Sequence, residues 1–353
     1  MIYELILTGG CNLVQEFSSI PHGVTSLDLS VNGLCSKSTG ELTQAFASLP
    51  ASITSLNLGG NHLGSKSGAE LAQLLAAIPA SVTALDLGWN ALNITNSSEL
   101  AEALAAIPSG VTSLNLSHNH LGSKSSTELA QLLAAIPISV TALDLSWNDL
   151  NSKNSAGLTQ ALAAIPASVT SLNLSWNVLS SSGAGLAQAF ATIPTNVISL
   201  DLSWNLLGFK HCTELARVFS SLPNHVVSLN LCFNPLNELS IENLMPLKDS
   251  LKHVQTIYLS HSIVENMSKE QRQALGSAFP NIQKIILVDY NYKEIHPSQS
   301  ITISNLIREL SGKANAPSLL NQCILFAQKH QTNIDHLNIP EELKESILTF
   351  NPY

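Results

Sequence analysis

Along most of the chain two hydrophobic periods alternate. "SVTALDLSWN" (139–148) sets Val140, Leu143 and Leu145 on one side with polar residues on the other, which predicts a short strand. "STELAQLLAAIP" (126–137) spaces Leu129, Leu132, Leu133 and Ile136 by three and four, which predicts a helix. Helix starts are marked by Ser38 with Glu41, Ser67 with Glu70 and Ser125 with Glu128, the pairing of a capping box. Helix stops are marked by Pro50, Pro79, Pro108, Pro137, Pro166, Pro194 and Pro223, since the residue before a proline is pushed out of helical geometry.

The strand–helix pair repeats. Its asparagine recurs as Asn32, Asn61, Asn90, Asn119, Asn148, Asn177, Asn205 and Asn234, always 29 residues apart except for one step of 28. Weaker copies follow in "VQTIYLSHSIV" and "IQKIILVDYNY", where Ser262 and Tyr290 replace the asparagine, and "YELILTGGCNL" is a degenerate first copy. That makes about eleven units. One strand and one helix cannot bury an apolar face alone, so neighbours must stack and close a continuous core between a strand layer and a helix layer.

The phrase LxxLxLxxNxL over residues 1–294 resembles the leucine-rich-repeat signature, and the helix-bearing unit length resembles the ribonuclease-inhibitor-like class. The resemblance implies an α/β solenoid, a right-handed horseshoe with parallel strands on the concave face and helices on the convex face. It also implies that the asparagines form a buried ladder bonding backbone between turns.

With the leucines inward, the residues between them face the hollow. All four tryptophans, Trp89, Trp147, Trp176 and Trp204, stand just before a ladder asparagine, in a column completed by Val31, Gly60, His118, Phe233 and His261. At about 4.8 Å between strands, the stretch from Trp89 to His261 covers roughly 29 Å of wall. An aromatic band of that length is expected to bind a protein, tryptophan being enriched at binding hot spots. The plainer reading is that the rings merely stack on each other, or were carried along by duplication, because "GSKSGAELAQLLAAIPASVTALDLGWN" (64–90) returns at 122–148. Copying accounts for Trp147 but not for Trp176 and Trp204 at single-unit steps. A second column alternates Asp28, Asn57, Asp86, Asn115, Asp144, Asn173, Asp201 and Asn230. Alternation doubles the spacing between carboxylates that would repel by about 1 kcal/mol. The concave-face candidates are therefore Trp89, His118, Trp147, Trp176, Trp204, Phe233 and His261 with Asp86, Asp144 and Asp201. An Arg or Lys flanked by apolar groups suits such a face.

Composition narrows the partner. A net charge of −9 argues against nucleic acid and anionic membrane. No apolar run reaches the length of a membrane span, and "MIYELILTGG" carries acid where a secretory signal needs positive charge, so a cytoplasmic protein is expected. The five scattered cysteines suit free thiols in a reducing compartment. No nucleophile–base pair, metal cluster or phosphate loop stands out of register with the repeat. His118 and His120, with His62 as the earlier copy, lack a third ligand, and Asp144 and Asp201 belong to a periodic column. The expectation is a protein without catalytic residues, metal or cofactor, an enzyme with an unrecognised site being the third choice.

The repeat stops near residue 294, leaving 295–353 as a helical extension. "HPSQSIT" (296–302) is expected to link it to the repeats, ahead of the helical stretches "SNLIRELSG", "SLLNQCILFAQKH" and "IPEELKESILTF". Such helices suit a cap on the open end of the array. "SLLNQCILFA" also resembles the start of a SOCS box, and "IDHLNIPEELKESIL" its second half. This resemblance implies that Leu319, Cys323 and Ala327 meet Elongin C and that Ile339 and Pro340 meet a cullin. Two positions depart from that family, Ile324 after the cysteine and Asn338 within "LNIP". "EELKE" (341–345) resembles the glutamate-rich motif of bacterial effectors delivered by a Legionella type IV secretion system, whose leucine-rich-repeat members the Ser/Asn-rich units also resemble. That implies translocation into the host cell cytosol. The expected function is a non-catalytic, effector-like interaction protein, a substrate adaptor for an Elongin–cullin ubiquitin ligase. The alternative is a stoichiometric inhibitor in the manner of ribonuclease inhibitor, its tail only a cap.

Overall fold

The computed structural model describes residues 2–5, 7, 12–179, 183–209, 212–297 and 300–312. Among them twelve strands form one open sheet whose order in space is their order in sequence, from Ile2–Glu4 to Glu294–Ile295. Pairing is parallel throughout, except that Glu294–Ile295 runs antiparallel to Lys284–Val288. Register aligns like with like, so Leu85, Leu114, Leu143 and Leu172 stand side by side, each almost fully buried. This is the expected leucine-rich-repeat solenoid, helices on the far side of the sheet and a helix beyond its last strand.

Most strands are only three residues long, because the chain must then leave the sheet toward the helix layer. Peptide groups buried in that turn need partners. The ladder asparagines supply them. Asn148 is fully buried, and its Oδ1 accepts the N–H of Asn119 at 3.1 Å and of Leu121 at 3.2 Å in the preceding unit. Its Nδ2 donates to the carbonyls of Leu116 at 2.9 Å and Ser146 at 3.1 Å. Asn61, Asn90, Asn119, Asn177, Asn205 and Asn234 repeat the arrangement.

The helix layer is stitched between units. Ser67 and Ser125 close full capping boxes with Glu70 and Glu128. The second oxygen of each glutamate also accepts a hydroxyl from the preceding helix, Thr39 for Glu70 and Ser97 for Glu128. Hydrogen bonds from Ser125 and Ser97 pull the Glu128 carboxyl down to about 2. The helices stop at Ala76 and Ala134, three residues before Pro79 and Pro137, whose carbonyls accept from Val82 and Val140 in the turn back to the sheet. Lysines add a further stitch: Lys66 Nζ donates to the Lys37 carbonyl at 2.8 Å, Lys124 to that of Thr95 and Lys153 to that of Lys124.

Beyond the last parallel strand the helix Ile301–Ser311 packs on Lys269–Gly276, burying Ile303, Leu306 and Leu310. The opening residues of that helix are therefore the end of "HPSQSIT", which the sequence reading treats as linker. Arg272 clamps the two helices, its Nε donating to Glu309 at 2.6 Å with both side chains mostly buried. Gly276 makes the close approach possible, since a Cβ there would lie 1.9 Å from the Leu310 carbonyl oxygen. The helices expected after residue 312, with Leu319, Cys323, Ala327, Ile339 and Pro340, lie outside the described residues.

Two outcomes follow. Asn148→Ala strands the amides of Asn119 and Leu121 in a dry interior and is expected to destabilise the array by about 3 kcal/mol or more, read as a lower urea midpoint with early hydrogen exchange at those two amides. Gly276→Val is expected to undock Ile301–Ser311 while sparing the central repeats, read as faster amide exchange confined to residues 269–311.

Candidate protein-binding face

Each ladder asparagine is flanked by residues in left-handed backbone conformation, on both sides except at Asn234, which Pro235 follows. On its N-terminal side these are Val31, Gly60, Trp89, His118, Trp147, Trp176, Trp204 and Phe233, with φ between 53° and 68°. For a side chain larger than glycine this region costs about 1–2 kcal/mol. Six consecutive units nonetheless place a ring there.

The shared backbone geometry makes the rings parallel. Trp89 stacks on His118 with centroids 3.5 Å apart, His118 on Trp147 at 4.4 Å, and Trp147 on Trp176 at 4.1 Å. Trp176 stacks on Trp204 at 4.1 Å and Trp204 on Phe233 at 4.5 Å. Of the two readings the sequence offers, the rings stack on each other as the plainer one has it, face meeting face along the column. The reason is spacing, since strands about 4.8 Å apart bring identical side chains within stacking distance. A stacked pair gains about 0.5–1.5 kcal/mol, so stacking roughly offsets the backbone strain and leaves burial of the ring faces as the net stabilisation. Burial also pushes the His118 imidazole below its ordinary value, favouring the neutral ring within the stack.

The acidic column is engaged from within. Asp144 Oδ1 accepts the Ser146 N–H at 2.8 Å, and its Oδ2 accepts the Asn173 amide at 2.9 Å. Asp86 with Asn115, and Asp201 with Asn230, form the same clasp. Alternation with asparagine therefore supplies donors as well as distance. Burial raises the Asp201 carboxyl above its usual range against the hydrogen bonds of Ser203 and Asn230.

His261 does not join the stack. It opens the helix His261–Glu265, its Nδ1 3.7 Å from Glu265. Tyr292 closes that end instead, edge-on to Phe233 at 5.0 Å, its hydroxyl 3.3 Å from Ser203 Oγ. No repeat signal points to Tyr292, because it lies beyond the last parallel strand, in the turn that reverses the chain. His120 pairs with Asp149 at 2.6 Å on an exposed turn. Burial pushes the Cys232 thiol up to about 12, far from a thiolate nucleophile at neutral pH. Among the described residues no three His, Cys, Asp or Glu side chains are grouped to hold a metal, and no helix is long and apolar enough to cross a membrane.

The Leucine Rich repeat family profile matches residues 50–72, 111–129, 138–153 and 166–185. The leucine-rich repeat-containing protein LegL7 from Legionella pneumophila is 62% identical, with a TM-score of 0.82 over 90% of this chain and 100% of that one. The chain belongs to the leucine-rich-repeat family. Its likeness to the yeast Rad7 and Elc1 complex is far lower, 17% identity and a TM-score of 0.41 over 79% of this chain and 74% of that one. No curated protein matches. Leucine-rich-repeat scaffolds typically bind proteins on an extended concave surface and are typically not enzymes.

The balance of strain and stacking makes an unusual mutational order. Trp176→Ala keeps the left-handed strain and removes both stacking partners, with an expected loss of about 2–3 kcal/mol. Trp176→Gly relieves the strain and is expected to lose about 1 kcal/mol less than alanine, measured by urea unfolding.

Proposed function

We propose that this leucine-rich-repeat chain is a non-catalytic adaptor that holds a protein partner along its ring-lined concave face. The observation that carries the reading is the ring column itself. Its backbone conformation favours glycine, and glycine occupies it at Gly60, yet six successive units hold bulky rings there, Trp89 and Trp147 exposed and the other four half-buried. Those rings, Trp89, His118, Trp147, Trp176, Trp204 and Phe233, form the contact line of this reading, with the Asp86, Asp144 and Asp201 clasps beside it.

Residues 1–294 then serve as the recognition module and 295–353 as the extension. In this reading Leu319, Cys323 and Ala327 recruit Elongin C, and Ile339 and Pro340 a cullin, so that the bound partner is ubiquitinated. The SOCS-box resemblance supports it. The "EELKE" segment and the 62% identity to a Legionella pneumophila protein support a bacterial effector delivered by type IV secretion into the host cytosol. The second reading, a stoichiometric inhibitor with the tail as a cap, is favoured by the docking of Ile301–Ser311 on the last repeat.

The chain immobilised in host lysate is expected to capture a partner that Trp147→Ala combined with Trp176→Ala releases, the variant's fold being checked by circular dichroism. Capture surviving in the folded double variant counts against the concave face. In the same experiment, Elongin B/C bound by the wild type and lost on Leu319→Ala with Cys323→Ala supports the adaptor, and absence of Elongin leaves the inhibitor.

A further inference from the structure

The ring stack is closed at one end and open at the other. Tyr292 seals Phe233 edge-on, but beyond Trp89 the next position of the column is Gly60, with no side chain. Trp89 is accordingly the most exposed of the tryptophans at 62%, against 39% for Trp147. Past Gly60 stands Val31, 81% exposed, whose Cγ2 leans to 3.1 Å from where a Gly60 Cβ would be. The outer indole face thus borders a cavity of about 560 Å³ lined by Val31, Gly60, Trp89, His62, Asn57 and Asp86, among others.

We propose that this opening is a seat for the side chain of an arginine on the protein partner, its guanidinium lying flat on Trp89. The proposal rests on the concave-face reading and names a point within it. Shape comes first. Two strand steps separate Trp89 from Val31, about 9.6 Å, enough for one planar group where the column lacks its ring. Charge decides the kind of planar group. The Asp86 carboxylate lines the cavity, and no lysine or arginine does, so an aromatic ligand carrying phosphate would meet no counter-charge. A guanidinium stacks on indole, attracted by the ring quadrupole, and its N–H groups can reach the remaining lone pairs of Asp86. A lysine ammonium has no flat face to fill the missing place in the stack.

Four tryptophans give four indole N–H signals, which makes the site readable in the intact chain. Nα-acetyl-arginine amide, titrated into ¹⁵N-labelled protein, is expected to shift the indole signal that Trp89→Phe deletes and leave the other three in place. Nα-acetyl-citrulline amide, flat but neutral, should bind about fivefold more weakly, a difference that Asp86→Asn should shrink. Gly60→Asn, which tolerates left-handed backbone and fills the opening, should abolish the shift without moving the other signals. The arginine seat is overturned if Trp89 does not respond, if citrulline or adenosine binds as well as arginine, or if Gly60→Asn leaves the response intact. Loss of the seat with partner capture still dependent on Trp147 and Trp176 removes this inference alone. Loss of both removes the concave-face reading as well.

Discussion

From Asn32 to Asn234 each turn of the solenoid buries the peptide groups that follow its strand, and one carboxamide per unit satisfies them. Asparagine is suited to this because it offers an acceptor and a two-hydrogen donor on a short stem, and both ends are used at every rung. Aspartate would lack the donors, and an apolar residue would lack both. The rung links one unit to the next, so it sets the spacing of the whole array. The 28-residue unit obeys it as well: Asn177 still donates its N–H to Asn205 at 3.1 Å, and the missing residue falls between Asn177 and Pro194, 17 apart where Asn148 and Pro166 are 18. Length varies in the outer layer while the ladder stays in register.

The ring column is a consequence of that ladder. Folding the asparagine inward puts a left-handed residue before it in every unit from Val31 to Phe233, and parallel register then aligns these from unit to unit. Any flat side chain in such a position must stack on its copies. The chain therefore gains a row of stacked rings from the same geometry that satisfies its backbone, and burial of the ring faces is the stabilisation left once strain and stacking are set against each other. The carboxylate column beside it is held by the same logic, each Asp accepting a backbone N–H and the amide of the next strand.

The fold was legible because its two periods and its asparagine spacing are one-dimensional signals that parallel stacking converts directly into neighbours. The column of rings was legible for the same reason. Stacking was one of its two sequence readings, but the left-handed backbone that carries the rings was not legible, since the residue names Trp89 and Trp147 argue against positive φ. The Asp–Asn clasps were half legible: the alternation was plain, but the donor role of Asn115, Asn173 and Asn230 requires knowing that each amide reaches back one strand. Lys66, Lys124 and Lys153 gave no hint of bonding buried carbonyls, because a lysine in a Ser-rich turn reads as a solvated surface residue. His261 was misplaced by counting alone, since the unit there starts a helix immediately after its strand.

The two ends of the ring row separate what the repeat requires from what it permits. At the C-terminal end the chain reverses and brings Tyr292 against Phe233, so the fold can cover an open aromatic face with its own residues. At the N-terminal end the parallel units continue past Trp89, and the register that aligns every other ring would align one at Gly60 too. Stacking alone would favour a ring at that place, as it does in the six units that follow. The 58-residue copy spans this place, "TSLNLGGNHLGSKS" (54–67) against "TSLNLSHNHLGSKS" (112–125), so the two copies differ only in Gly59-Gly60 against Ser117-His118. A glycine there relieves the left-handed strain and also leaves the outer face of Trp89 uncovered beside the Asp86 carboxylate, the arrangement that recognition of a flat cation requires.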